Sequence, residues 1–151
     1  MMIKILSLLF LLFAIYTHTE NKQQESKLKT GWYYINTESV GVRRQLDKSG
    51  EIYFINPLPI IISKNIKTIF FRNDKNGTPY LEMRFDSIGT NAWRIATKKA
   101  IGKKLGFIFN DKLIQVPTVN SEIDFGVAAI WDYSKSELEL IKNSIENKKL
   151  N

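Results

Sequence analysis

The alternation of apolar and polar residues divides the chain into short β-like runs, one helical period, a hairpin, a last apolar segment and a second helical period. Residues 31–36 hold Trp32, Tyr33, Tyr34 and Ile35, a strand composition. Residues 40–46 place Val42 and Leu46 around Arg43-Arg44 and predict a weaker strand. Asp47-Lys48-Ser49-Gly50 is turn chemistry. Residues 51–56 predict a strand, and Pro57 and Pro59 keep the chain extended into Ile60-Ile61-Ile62. Ser63 or Asn65 is placed to cap a single turn. Residues 67–72 and 80–85 predict two strands joined through turn chemistry with Asn76-Gly77 at its tip. The second alternates, with Leu81, Met83 and Phe85 on one face and Glu82 and Arg84 on the other.

A 3.6-residue period follows. Asp86 or Ser87 is positioned to accept a hydrogen bond from a free first-turn amide. Ala92, Trp93, Ala96 and Ala100 fall on one side of a helix predicted to run to about Lys104, with Gly102 as a close-packing position late in it. Residues 105–109 and 112–116 are two strands around Asn110-Asp111. Both residues tolerate the left-handed backbone of a tight primed turn, so the stretch predicts a hairpin. Pro117 lacks an amide hydrogen and ends the pairing. Residues 119–123 and 125–130 are the last apolar segments, and Gly126 permits a close approach or bulge. Ser134-Lys135-Ser136-Glu137 is a capping box, with Tyr133 and Leu138 at the positions of a hydrophobic staple. Leu138, Ile141 and Ile145 form the apolar stripe of that helix. This order predicts an α+β fold: a largely antiparallel sheet with two main helices packed on one face.

The N-terminus departs from these patterns. Lys4 precedes the apolar run 5–16, which has the length of a secretory signal core and is short for a membrane span of roughly 20 residues. No Ala-x-Ala site follows it, so both a cleaved signal and an uncleaved anchor are consistent with residues 1–19. Residues 20–30 are polar and read as a flexible linker. The single folded domain is then expected over 31–147, outside the cytoplasm, periplasmic or secreted.

Composition adds charge and removes chemistry. The 151 residues carry a formal net charge of +7, which favours acidic partners or anionic surfaces. There is no cysteine, so disulfides and thiolate chemistry are absent. His18 is the single histidine and lies beside the apolar run, which leaves no histidine for a triad or metal site in the expected domain. No phosphate-loop pattern is present. Asp86, Asp111, Glu122, Asp124 and Asp132 are the candidates for a hydrolytic carboxylate pair, but their positions suit caps and turns. No catalytic residue, cofactor, metal or small-molecule substrate is assigned. The basic positions of the first predicted helix, Arg94, Lys98, Lys99, Lys103 and Lys104, are the candidate interaction surface. Nucleic acid is not expected as partner, because Trp32, Trp93 and Trp131 read as core or half-buried.

The second half resembles the head subdomain of the first large periplasmic region of SecD, a bacterial protein-export factor. The resemblance is carried by Phe85, Thr97, Ile101-Gly102-Lys103, the apolar strand from Leu105, Asn110-Asp111-Lys112, the second strand reaching Pro117, Ile123, and Gly126 before the last strand. It covers roughly residues 60–145, with a looser fit before Phe85. SecD also has membrane helices and a second periplasmic subdomain that are not seen in this sequence, and its membrane carboxylates have no counterpart here. The resemblance implies the fold and contact with other polypeptides, not a proton-driven motor.

The expected function is thus a non-enzymatic, exported module that binds protein partners or a translocating polypeptide through the basic helix face and an open sheet edge. A hydrolase using a carboxylate pair is the alternative. A structural protein tethered at the membrane surface by an uncleaved N-terminal segment is a third.

Overall fold

All ladders between strands are antiparallel, and they fall into two sheets. The structure is a computed structural model and describes residues 26–148. The expected signal or anchor, and the linker up to residue 25, lie outside the described residues. The strands are β1 (Gly31–Asn36), β2 (Val42–Gln45), β3 (Ile52–Ile62), β4 (Ile66–Asn73), β5 (Pro79–Phe85), β6 (Leu105–Phe109), β7 (Lys112–Gln115) and β8 (Val127–Ile130). The helices are α1 (Ser87–Lys99) and α2 (Lys135–Asn147), with a 3-10 turn, Ser63–Asn65, between β3 and β4. The fold is α+β, its strands divided between a five-stranded sheet, β2-β3-β1-β6-β7, and a three-stranded sheet, β4-β5-β8.

The larger sheet curls until its two outer strands meet. A bridge joins Leu46 to Leu113, and the Asp47 amide donates to the Leu113 carbonyl at 2.9 Å. Inside the curl, Tyr33, Tyr53, Ile55, Ile108 and Leu113 form one core with Leu28. The other face carries Trp32, Ile61, Leu105, Phe107 and Ile114 into a second core. Strands β1 and β6 are therefore buried on both faces, which is why their apolar runs are nearly continuous. The smaller sheet buries one face only. Leu81, Met83, Phe85, Ala128 and Ile130 enter the second core, and the alternation of β5 records this.

Both helices close the second core. Asp86 caps α1, accepting from the Gly89 amide at 2.7 Å. Trp93 and Ala96 are buried under it, and Trp93 packs 5.0 Å from Trp32 between ring centroids. The Ser134–Glu137 capping box forms as the sequence predicts, Tyr133 and Leu138 are both buried, and Ile141 and Ile145 continue the stripe. Among the described residues no helix is long and apolar enough to cross a membrane.

Five expectations need correction. β3 does not stop near Asn56 but runs on to Ile62 through Pro57 and Pro59. Its later half pairs with β1 alone, since β2 ends opposite Ile55, so prolines there disrupt no ladder on the free side. α1 ends at Lys99 rather than near Lys104. Gly102 is not a helical packing position: it adopts φ +76° with open space around its missing Cβ. The chain leaves the helix to exchange hydrogen bonds with the 117–119 segment, Gly102 to Val119 and Val119 to Lys103, both 2.8 Å. Accordingly, 119–123 forms no strand and makes one isolated bridge, Val119 to Ile101. Finally, packing begins before Gly31. Leu28 is buried, its amide donates to Asp111 Oδ1 at 2.8 Å, and Thr30 Oγ1 accepts from the Asn110 amide at 3.1 Å.

Candidate interaction surface

The five basic residues separate into two groups once folded. Arg94 and Lys98 sit one turn apart on α1 and share Glu122, at 3.2 and 3.8 Å. The sequence has no acid between Ser87 and Asn110, but Glu122 arrives from the loop before β8. That loop is held by Thr97, whose hydroxyl donates to the Trp93 carbonyl and accepts from the Ile123 amide, both 2.9 Å. Two of the five expected basic residues are thus partly neutralised. These pairs are solvent-exposed and contribute little to stability.

Lys99, Lys103 and Lys104 form the other group. They flank a cleft of about 390 Å³ whose opposite wall is the end of β1 and the loop after it, including Tyr34, Asn36, Glu38 and Val40. Lys99 Nζ lies 5.2 Å from the Tyr34 ring centroid, a cation–π distance. Burial pushes the Tyr34 hydroxyl above its ordinary range, so it is neutral at physiological pH. Lys103 and Lys104 are exposed and form no ion pair among the described residues. Val40 at 64% and Ile101 at 51% exposure add apolar surface nearby. The cleft therefore combines positive charge with apolar contact, a mixture suited to polypeptide.

The sheet edges are not equivalent. β8 borders β7, and Gln115 joins them: its Oε1 accepts from the Trp131 amide at 3.0 Å and its Nε2 donates to the Ala129 carbonyl at 3.3 Å. The unpaired half of β3 carries its two prolines. β4 pairs with β5 alone, and its first turn of pairing is interrupted at Lys67 by a register shift. From Ile69 to Asn73 its pairing is regular, so this stretch presents a strand edge open to addition.

The candidate carboxylates have separate structural positions. Asp86 caps α1, Asp111 forms a turn and pairs with Arg44, and Glu122 meets Arg94 and Lys98. Asp124 is exposed in the loop before β8, and Asp132 adopts φ +64° after that strand. Among the described residues no group of three or more His, Cys, Asp or Glu side chains is arranged to hold a metal ion.

The architecture is that of an α+β domain in which a curled antiparallel sheet, a smaller sheet and two helices share a core. A family model, the P1 head subdomain of SecDF, matches residues 38–137. The chain belongs to this family. It is 25% identical over 105 residues to the protein translocase subunit SecD of Rickettsia typhi, covering 69% of this chain and 20% of that one. The SecD of Leptotrichia buccalis is 28% identical over 91 residues, covering 59% of this chain and 22% of the relative. The chain thus spans about a fifth of the length of the curated relatives it matches. A crystal structure of SecDF in a super-membrane-facing form superimposes with a TM-score of 0.64 at 14% identity, over 85% of this chain and 21% of the other. A structure of SecDF as a membrane component that enhances protein export gives 0.62 at 15% identity, over 86% and 70%. At these identities the two structures establish the shared fold.

Proposed function

We propose that this chain works outside the cytoplasm as a non-enzymatic module that binds a protein partner or a polypeptide in transit. The cleft at the C-terminal end of α1 and the open edge of β4 are its contact surfaces. The observation that carries the reading is the grouping of Lys99, Lys103 and Lys104 around a cleft with exposed Val40 and Ile101 close by. Membership of the SecDF head family supports a place in protein export, since the relatives are translocase subunits. Charged rims of this kind act mainly on encounter rate and choice of partner. The partner's contacting segment is accordingly acidic and partly apolar.

The test is photocrosslinking in intact cells from Val40 and Ile101, with the captured chains identified. A defined polypeptide is expected at both positions, and capture should fall at least tenfold in the variant Lys99→Glu, Lys103→Glu, Lys104→Glu. Unchanged capture in that variant at low salt would remove the cleft from the proposal. Loss of capture on mutating Arg72 and Phe70 of β4 instead would move the contact to the sheet edge.

A further inference from the structure

The opposite end of the larger sheet is basic as well, and it is where the described chain enters and leaves. Strand β1 runs from Gly31, paired with Ile108 near the Asn110-Asp111 turn, to Tyr34, paired with Leu105 at the cleft described above. At the turn end a second cleft, of about 590 Å³, is bordered by Lys27, Lys29, Lys64 and Lys148. Its acidic lining residue, Asp111, is committed to Arg44 at 2.6 Å and to the Leu28 amide. Lys148 donates to Asn110 Oδ1 at 2.6 Å, a neutral partner that leaves its charge uncompensated. Lys29 and Lys64 form no ion pair among the described residues, and Lys27 makes none within 4 Å, though its charge acts on Asp111. Four ammonium groups from three separate parts of the chain thus ring one depression.

We infer that this end seats on an anionic bilayer surface, its four lysines contacting lipid headgroup phosphates. Sequence position selects the bilayer over a soluble anion. Nine residues, 17–25, separate Ser26 from the apolar run 5–16. Nine residues reach at most about 30 Å, whatever their conformation. A run lodged in a membrane therefore holds this end within reach of the headgroup layer, where a polybasic surface is attracted over roughly one Debye length, about 8 Å. The other end, with Lys99, Lys103 and Lys104, then points away from the membrane. This inference goes beyond the partner-binding proposal, uses different residues and stands without it.

The test is sedimentation of the full chain with vesicles of phosphatidylcholine alone or with about one-third phosphatidylglycerol. The apolar N-terminal run supports binding to both, so the readout is their ratio. Anionic vesicles should bind more tightly, and the preference should fall about fivefold per lysine in Lys27→Gln, Lys29→Gln, Lys64→Gln, Lys148→Gln. The variant Lys99→Gln, Lys103→Gln, Lys104→Gln should keep the preference. Orientation is read separately, because the chain has no cysteine. An environment-sensitive dye at Lys112→Cys should shift on anionic vesicles, and the same dye at Ser39→Cys should not. Equal loss in the two lysine variants, a retained preference in the first, competition by millimolar glycerol phosphate, or a shift at Ser39→Cys alone would each overturn the inference.

Discussion

Arg44 Nη2 lies 2.6 Å from Asp111 Oδ1, and Arg44 Nε donates to the Asp111 carbonyl at 2.9 Å, across 67 residues of sequence. One guanidinium thus holds both the side chain and the main chain of the second turn residue, which sits at φ +69°. The contact ties β2 to the β6–β7 hairpin, beside the Leu46–Leu113 bridge that closes the curl. Replacing Arg44 with Met should lower the unfolding free energy by about 2–3 kcal/mol, the range for a charged hydrogen bond with a half-buried partner. Lys at 44 should recover little of it, since an ammonium cannot reproduce the forked geometry. Urea unfolding of the three proteins measures both.

The same contact sets an acid limit. Burial pushes the Asp111 carboxyl up, but the Arg44 hydrogen bond, the Leu28 amide and the charges of Arg44 and Lys27 outweigh it and hold it below the usual carboxylate range. A depressed folded value means that the stabilisation is complete above the unfolded value of about 3.9 and is lost as pH falls through the folded one. The stability difference between the wild type and Asp111→Asn should therefore be constant at pH 5–7 and shrink below about pH 4. A difference that persists undiminished at pH 2 would show that charge is not what Asp111 supplies.

Alkaline pH should act through tyrosine. Tyr53 is pushed up to about 12 by burial, helped by the hydrogen bond and charge of Glu51. Tyr133 is raised further by burial and then by Asp47, while its hydroxyl donates to the Ile114 carbonyl at 3.0 Å. A raised folded value gives stability that is complete below the unfolded value of about 10 and is lost as pH climbs from there toward the folded one. Unfolding midpoints should be flat to about pH 9.5 and then drop steeply. The drop should be shallower in Tyr53→Phe.

Gln115 should matter more than a half-exposed glutamine ordinarily does. In Gln115→Leu the Trp131 amide and Ala129 carbonyl lose their partners, which should cost about 1–3 kcal/mol. Hydrogen exchange at Trp131 should quicken ahead of the Ile130 and Leu81 amides. Uniform quickening would mean that Gln115 acts on global stability rather than on this seam.

Thr97→Val tests the anchoring of the 118–126 loop. The exchange preserves shape and removes the hydroxyl that accepts from Ile123. A loss of about 1 kcal/mol is expected, because the Ile123 amide left without its partner is only partly buried. Weakening of the Glu122 pairs with Arg94 and Lys98 should accompany it, read as a smaller salt dependence of stability.

Elements with strong local chemistry were legible in the sequence. Asn110 and Asp111 both take positive φ, 48° and 69°, as a primed hairpin turn requires. The Ser134–Glu137 box and the Leu81-Met83-Phe85 face needed no knowledge of the rest of the chain. Most of the failures trace to a distant partner. Gly102, at φ +76° just past Lys99, is a local stop for the helix, and hydrogen bonds to 117–119 then fix the chain's exit. Pro57 and Pro59 keep the chain extended, as the sequence indicates, and β3 stays paired through them because β2 is too short to reach that side. Glu122 is 24 residues from Lys98, so the split of the basic face could not be read from either segment. The sequence shows Arg44 only as one of two adjacent arginines in a weak strand, because its role exists only once β2 meets the hairpin.

The entry and exit of the described chain meet beside one turn, with Leu28 bonded to Asp111 and Lys148 to Asn110. A unit built this way can be spliced into a host polypeptide at a single point, because both junctions fall on the same small patch and the host's own ends need not be pulled apart.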